Sequence, residues 1–452
     1  MSTAQDTRTQ QLLTGRILPL MARMAAPQAL AFLVQAAVSM TEVWYVGQLG
    51  RTSLAAMAFV FPGLMLMQML SGGALGGAVA SAVARALGAG DMQRARALLW
   101  HALCIAVAAG LLFAAMFWLL GDTLLTLVGA EGAVREEALT YSAVVFTGGI
   151  GIWVTSLLTG AFRGMGDMSF PAQLMVVGGL VQVMLSGTLV LGWFGAPQLG
   201  ILGAAISVVS VASINATLAL LRLLGPRVSV QLRWSAAQLR VYLFKDIFRV
   251  GALAAVAPFL SIASIMIVNS LVSRYGDAMV AGYGIGSRLE FLLIPMVFGF
   301  GAAMNTMVGM SMGAGTIERA ERIALVGGST AAAITGTIGL TLAIFPEVWI
   351  GLFTDDAATL AAGALYLQYS GWAFAFQGMG LSLYFASQGA GTVVWPVIAN
   401  FVRFGVGAGG ALLATTVFEL GVHWVFASLA LGMALYGIVT AASIWLGAWR
   451  RI

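Results

Sequence analysis

Pro27–Gly50 reads PQALAFLVQAAVSMTEVWYVGQLG, an apolar run that holds a single carboxylate, Glu42. About 20 such residues cross a bilayer as a helix. An ionised carboxylate inside one costs roughly 2.5–3.5 kcal/mol on insertion scales, so it usually faces a bundle interior or a wet cavity. Two readings of Glu42 stand on the residues alone. It is either an ion or proton site, or a charge near a helix end that reaches the headgroups. The rest of the chain keeps the same character, 60% hydrophobic and 9% charged. Soluble proteins carry about 25% charged residues, and the expectation is an all-α polytopic membrane protein.

The single cysteine, Cys104, excludes a disulfide within the chain and any multi-cysteine metal site. His101 and His423 are far apart and lack neighbouring ligands, so neither a metal nor a cofactor is expected. The opening MSTAQDTRTQQLLTGR has no apolar core with a small-residue cleavage site and does not read as a cleaved signal peptide.

Twelve apolar segments follow, near 17–45, 53–84, 97–120, 138–161, 171–195, 200–223, 247–273, 279–311, 323–345, 360–387, 393–417 and 422–448. Arginines concentrate in alternate connections, among them Arg85, Arg94, Arg96, Arg163, Arg233, Arg240 and Arg319, while most loop acids lie in the others. The positive-inside rule then makes both termini cytoplasmic. The net charge of +5 is topogenic and calls for no nucleic-acid partner. The most polar connection, 225–246, reads as a cytoplasmic linker between an N-lobe at 1–224 and a C-lobe at 247–452. It has room for a short amphipathic helix on the inner leaflet.

An internal duplication organises these segments. Gly88-Ala89-Gly90 is echoed by Gly313-Ala314-Gly315, Gly164 by Gly389 and Pro171 by Pro396, all at one constant offset in the numbering. Gly50 and Gly276 repeat it with one position added. Six segments per half give two pseudo-symmetric six-helix lobes of like orientation, related by an axis along the membrane normal. The repeated glycines supply positive φ at cytoplasmic turns, and the prolines start the next helices.

In order along the chain stand Pro27, the acid in Thr-Glu-Val-Trp-Tyr-Val-Gly-Gln-Leu-Gly, the Gly-Ala-Gly-Asp turn at 88–91 and Arg-Gly-x-Gly-Asp-x-x-x-Pro at 163–171. Together they resemble the multidrug and toxic compound extrusion (MATE) family over essentially the whole chain. The resemblance implies a monomeric antiporter of the bacterial inner membrane, which expels bulky cationic or amphipathic small molecules against inward H⁺ or Na⁺ by alternating access. By position it makes Glu42 the coupling residue and Pro27 a hinge of the first helix. It places Gln182 and Ser186 where relatives carry Asn and Asp, and Gln377 where others carry Asp. The seventh helix carries no acid, although some relatives bind Na⁺ there.

Glu290 is the other acid within a span, in Gly284-Ile285-Gly286-Ser287-Arg288-Leu289-Glu290. Residues two apart on a helix point about 200° apart, so Arg288 and Glu290 are expected to face different neighbours. Glu290 reads as a second proton or cation site or as a structural anchor, and Arg403 as a paired or interface-seeking charge. Gln35, Thr41, Asn269, Arg288 and Gln377 complete the cavity candidates, because polar groups in a span turn inward. A carboxylate in a partly dry cavity can bind a proton near neutral pH, whereas Na⁺ asks for about six oxygens by analogy with other hard cations. The shortage of carboxylates favours H⁺. The alternative within the same superfamily is a lipid-linked saccharide flippase, which needs a more cationic cavity. An enzyme is disfavoured by the lack of clustered His, Asp or Cys.

Overall fold

The computed structural model describes residues 2–226 and 228–451, so Arg227 of the expected linker lies outside the described residues. Among these there are helices and no strands. In chain order the helices are α1 (Ser2–Thr14), α2 (Ile17–Gly47), α3 (Arg51–Gln68), α4 (Gly76–Gly88), α5 (Met92–Leu127), α6 (Gly132–Thr147), α7 (Gly149–Gly164), α8 (Ser169–Leu191), α9 (Ile201–Leu224) and α10 (Val241–Ala254). Then follow α11 (Val256–Val272), α12 (Asp277–Gly313), α13 (Ile317–Ile344), α14 (Glu347–Ile350), α15 (Ala357–Ser370), α16 (Phe374–Ala390), α17 (Val394–Phe404), α18 (Gly410–Thr416) and α19 (Val422–Trp445).

Among the described residues, ten helical stretches are long and apolar enough to cross a membrane, or eleven when α6 and α7, bent by 45°, count as one. Twelve are expected from the sequence. The difference falls at 360–387, where α15 and α16, of 14 and 17 residues, are separated by a 3-10 turn at Gly371–Ala373. Neither alone reaches the length of a span. The break lies where the chain presses on α13: a Cβ on Gly371 would stand 2.5 Å from the Gly339 carbonyl oxygen.

The duplicated glycines adopt matching conformations. Gly90 and Gly315 have φ of 73° and 74°, and Gly166 and Gly391 have 80° and 83°. These are left-handed values that favour glycine after a helix. Asp91 then caps α5 by accepting from the Arg94 N–H at 2.9 Å.

The same duplication recurs in the packing. A Cβ on Gly164 would collide with the Ala80 carbonyl oxygen, and one on Gly389 would collide with the Asn305 carbonyl oxygen. Ala80 and Asn305 are themselves related by the offset of the repeated glycines, so α7 crosses α4 as α16 crosses α12. Small residues permit such backbone approach between membrane helices. Gly164→Ala and Gly389→Ala are each expected to cost about 1–3 kcal/mol, the usual penalty of overpacking. Thermal unfolding in detergent checks this.

The chain divides into two compact units, and the division does not follow the expected boundaries. The first comprises Ala26–Gly251 with the N-terminal stretch up to Thr9, and the second comprises Gln10–Ala25 with the chain from Ala252 onward. The described residues of 225–246 therefore group with the first unit rather than standing apart as a linker. Several contacts hold them there. Leu232 donates its N–H to the Leu223 carbonyl at 2.9 Å. Trp100 Nε1 donates to the Arg233 carbonyl at 2.9 Å. His101 Nε2 accepts from the Arg240 N–H at 2.9 Å. Asp246 bridges Arg85 and Arg94, each at 2.7 Å. Leu243, Ile247 and Val250 form a buried stripe along α10. Residues 10–25 in turn complete the second unit. Arg319 donates to the Gly15 carbonyl at 2.7 Å and to the Leu12 carbonyl at 3.2 Å, and Leu12, Met21 and Met24 are buried.

Candidate functional site

Two acids, Glu42 buried and Glu290 half-buried, mark two sites, one in each unit. In the first, α8 starts where Asp167 accepts from the Phe170 N–H at 3.2 Å. Gly179 brings α8 against α2, since a Cβ there would lie 2.9 Å from Val38 Cγ2. One turn further along both helices, Gln182 Nε2 donates to Glu42 Oε1 at 2.6 Å. Glu42 is buried, 7% exposed. Glu42 therefore does not sit in open water at a helix end.

Ser186 lies one turn beyond Gln182 on the same face of α8. It is fully buried, and its hydroxyl oxygen makes no hydrogen bond. Tyr141 of α6, also buried, stands close enough for the Glu42 charge to act on it. An aromatic residue in an apolar helix carries no sequence signal for such a role.

Other candidates are placed differently. Gln35 is half-buried, two turns before Glu42. Thr41 donates its hydroxyl to the Ala37 carbonyl at 2.9 Å, so that group is spent on its own helix and does not join the pair. Pro27 lies inside α2 and denies the Arg23 carbonyl its helical N–H partner. The chain passes from the second unit to the first between Ala25 and Ala26, beside this proline.

In the second unit, Glu290 of α12 accepts a hydrogen bond from the Tyr366 hydroxyl of α15. The approach depends on Gly286, one turn before the acid, where a Cβ would meet the Tyr366 ring at 2.5 Å. The rings of Tyr283, at 5.2 Å, and Phe426, at 5.4 Å, pack edge-to-face against Tyr366, an arrangement that aromatic pairs prefer. Arg403 is close enough to act on the Glu290 charge, and its guanidinium lies 5.8 Å from the Tyr436 ring. Glu290 opens onto a cavity lined by Leu293, Thr335, Phe374, Gln377 and Leu381. The Gln377 Oε1 is buried there without a hydrogen bond, so an acid and an unsatisfied amide oxygen share one apolar pocket.

Arg288 points elsewhere: it is exposed, with its guanidinium 5.9 Å from the Phe353 ring. Asn269 is exposed on α11. Neither lines the described cavity. Glutamine at 290 can still accept from the Tyr366 hydroxyl, so the change removes the carboxylate charge rather than the hydrogen bond. Glu290→Gln is accordingly expected to slow flux by about tenfold, and Arg288→Gln by less than about twofold. Initial rates in proteoliposomes, normalised to protein, check the pair.

Among the described residues no three of His, Cys, Asp and Glu gather as metal ligands. Gln182 turns its nitrogen rather than its oxygen to Glu42, whereas a hard cation takes about six oxygens.

A family model named MatE matches residues 27–188 and, a second time, 254–413. The second match is displaced from the first by close to the offset of the repeated glycines. A probable multidrug resistance protein NorM of Thermotoga maritima is 27% identical over 324 residues, covering 71% of this chain and 69% of that protein. A probable multidrug resistance protein YoeA of Bacillus subtilis is 26% identical over 389 residues, covering 84% and 83%. The crystal structure of a MATE P26A mutant superposes with a TM-score of 0.89 over 98% of this chain and 99% of that one, at 23% identity.

Proposed function

Because this chain belongs to the MatE family of multidrug and toxic compound extrusion transporters, we propose that it is a proton-coupled antiporter. It exports bulky cationic or amphipathic small molecules from a bacterial cell as a monomer of the inner membrane, with both termini in the cytoplasm. The Glu42–Gln182 pair at 2.6 Å carries this reading. A single acid in a dry site has two useful states. Ionised, it attracts a cationic substrate and accepts from the Gln182 amide nitrogen. Protonated, it is a neutral donor, which the carbonyl end of the same amide can accept by rotation about its last torsion. Gln182 thus satisfies both states, and the unused Ser186 hydroxyl adds a donor or acceptor.

Exchange then follows from charge. A proton arriving from outside neutralises Glu42 and releases a bound cation, and its departure to the cytoplasm restores affinity. The Glu290 pocket, with Tyr366 and Gln377, supplies a second acid that binds a proton or a cationic group of the substrate. Its carboxylate suits a cationic group better than the polyanionic headgroup of a lipid-linked saccharide. That Gln182 turns a nitrogen donor, which cannot ligate a cation, to Glu42 supports H⁺ over Na⁺.

Ethidium flux in everted vesicles tests the reading. An imposed pH gradient is expected to drive transport with no sodium gradient present. Flux that answers only to sodium overturns the choice of ion, and no flux under either gradient overturns the substrate class.

A further inference from the structure

Two of the crossings between the units lie at equivalent places. Besides a crossing at 9/10 within α1, the chain crosses from the second unit to the first at 25/26, and from the first to the second at 251/252. These last two points are related by the same displacement as the duplicated Gly50 and Gly276. Each of the two interrupts one long element, α2 in the first case and the α10–α11 pair in the second.

Just past each crossing, one residue is tied to the unit the chain has entered. Gln28 is fully buried, and its Nε2 donates to the Met168 carbonyl at 2.9 Å, within the first unit. Ala254, the counterpart of Gln28 under that displacement, accepts through its carbonyl from the Tyr384 hydroxyl at 3.3 Å, within the second. The Ala254 carbonyl is available because Pro258 stands four residues later and has no N–H to offer it. The helix is broken there, at Ala255. Tyr384 is itself held: its oxygen accepts from Gln388 Nε2 at 3.1 Å, and Gln388 Oε1 accepts from Asn305 Nδ2 at 3.2 Å. All three side chains are buried. A buried carbonyl without a donor carries the full cost of its desolvation, so this chain of side chains satisfies a group that the proline leaves open. Pro27 stands at the other crossing, one residue before Gln28.

We propose that Gln28 and Tyr384 are positioning residues of the transport cycle. Each pins to its own unit the first turn of a helix that has just left the other, and so fixes the point about which that helix bends. The proposal rests on the transporter reading for its functional part. Its structural part, that the Tyr384 hydroxyl serves a carbonyl orphaned by Pro258, stands independently and is tested independently.

The experiment compares the wild-type protein with Tyr384→Phe, Pro258→Ala, the double variant and Gln28→Met. Thermal unfolding is read in detergent, and ethidium turnover and its half-saturating concentration in proteoliposomes. Tyr384→Phe is expected to lower Tm by about 2–4 °C. In the Pro258→Ala background the same change is expected to cost nothing, because the substituted alanine supplies the missing N–H.

Turnover is expected to fall about fivefold or more in Tyr384→Phe, Gln28→Met and both Pro258→Ala proteins, with the half-saturating concentration unchanged within about twofold. A merely structural tyrosine would recover activity together with Tm in the double variant. An equal Tm loss from Tyr384→Phe in both backgrounds overturns the assignment of the hydroxyl to the Ala254 carbonyl. Wild-type turnover in Pro258→Ala or Gln28→Met overturns the positioning role. A wild-type protein that moves no ethidium counts against the transport reading, while the thermal cycle still decides the structural part.

Discussion

Glu42→Gln is expected to abolish gradient-driven export while leaving expression and folding intact. Glutamine matches the shape of the protonated acid and can still pair with Gln182, so the fold loses little. What it cannot do is release and rebind a proton. The site is then fixed in its neutral state, a bound cation meets no carboxylate, and the cycle cannot be coupled. Flux is expected to drop by about 100-fold or more, to the passive leak, since the loss removes an essential state rather than one contact. Glu42→Asp keeps the acid but shortens the side chain by one methylene, beyond the reach that gives 2.6 Å to Gln182. It is expected to retain partial, slower flux. Vesicle transport with matched protein levels reads all three proteins, and an active Gln variant sinks the assignment.

Asp246→Ala is expected to produce the largest loss of stability. Asp246 neutralises two arginines at 2.7 Å, and Arg85 is the more enclosed, with 14% of its side chain exposed. Arg85 also donates to the Ser81 hydroxyl. Removing the carboxylate strands a partly buried guanidinium, and breaking such a pair from one side costs about 3–5 kcal/mol. Replacing both partners with apolar residues of similar volume is often close to neutral. Arg85→Met with Asp246→Leu is therefore expected to recover most of what Asp246→Ala loses. Thermal or chemical unfolding of the three variants decides between a local charge effect and a general disruption of α10.

The division between what sequence reveals and what it hides follows from the range of each interaction. Glu42 and Glu290 stand out because a carboxylate in an apolar run is costly wherever its neighbours lie. The glycine turns stand out because positive φ is a local demand that recurs at a fixed offset. The Glu42–Gln182 contact joins positions far apart in the chain, and only the family resemblance brings the two together in advance. Tyr366 is invisible in sequence, since a tyrosine in an apolar helix reads as core until its hydroxyl is seen against an acid. Thr41, Asn269 and Arg288 show the opposite limit: polarity within a span marks a candidate, but not the direction in which it points. The break in the tenth segment is equally hidden, since the close approach of Gly371 to Gly339 joins two helices that the sequence does not pair.

The traded lead-in segments impose an order on biosynthesis. Residues 10–25 leave the ribosome among the first, yet Arg319, which binds the Gly15 carbonyl, follows about 300 residues later. At about 5–20 residues per second this is a delay of roughly 15–60 s. Throughout that interval Leu12, Met21 and Met24 have no native surface to cover them, and the first unit must form around a helix whose leading third belongs elsewhere. Two polypeptides severed near residue 225 would each carry a piece that the other needs. They would reconstitute as partners when made in the same cell, and each alone would remain open where its missing piece belongs.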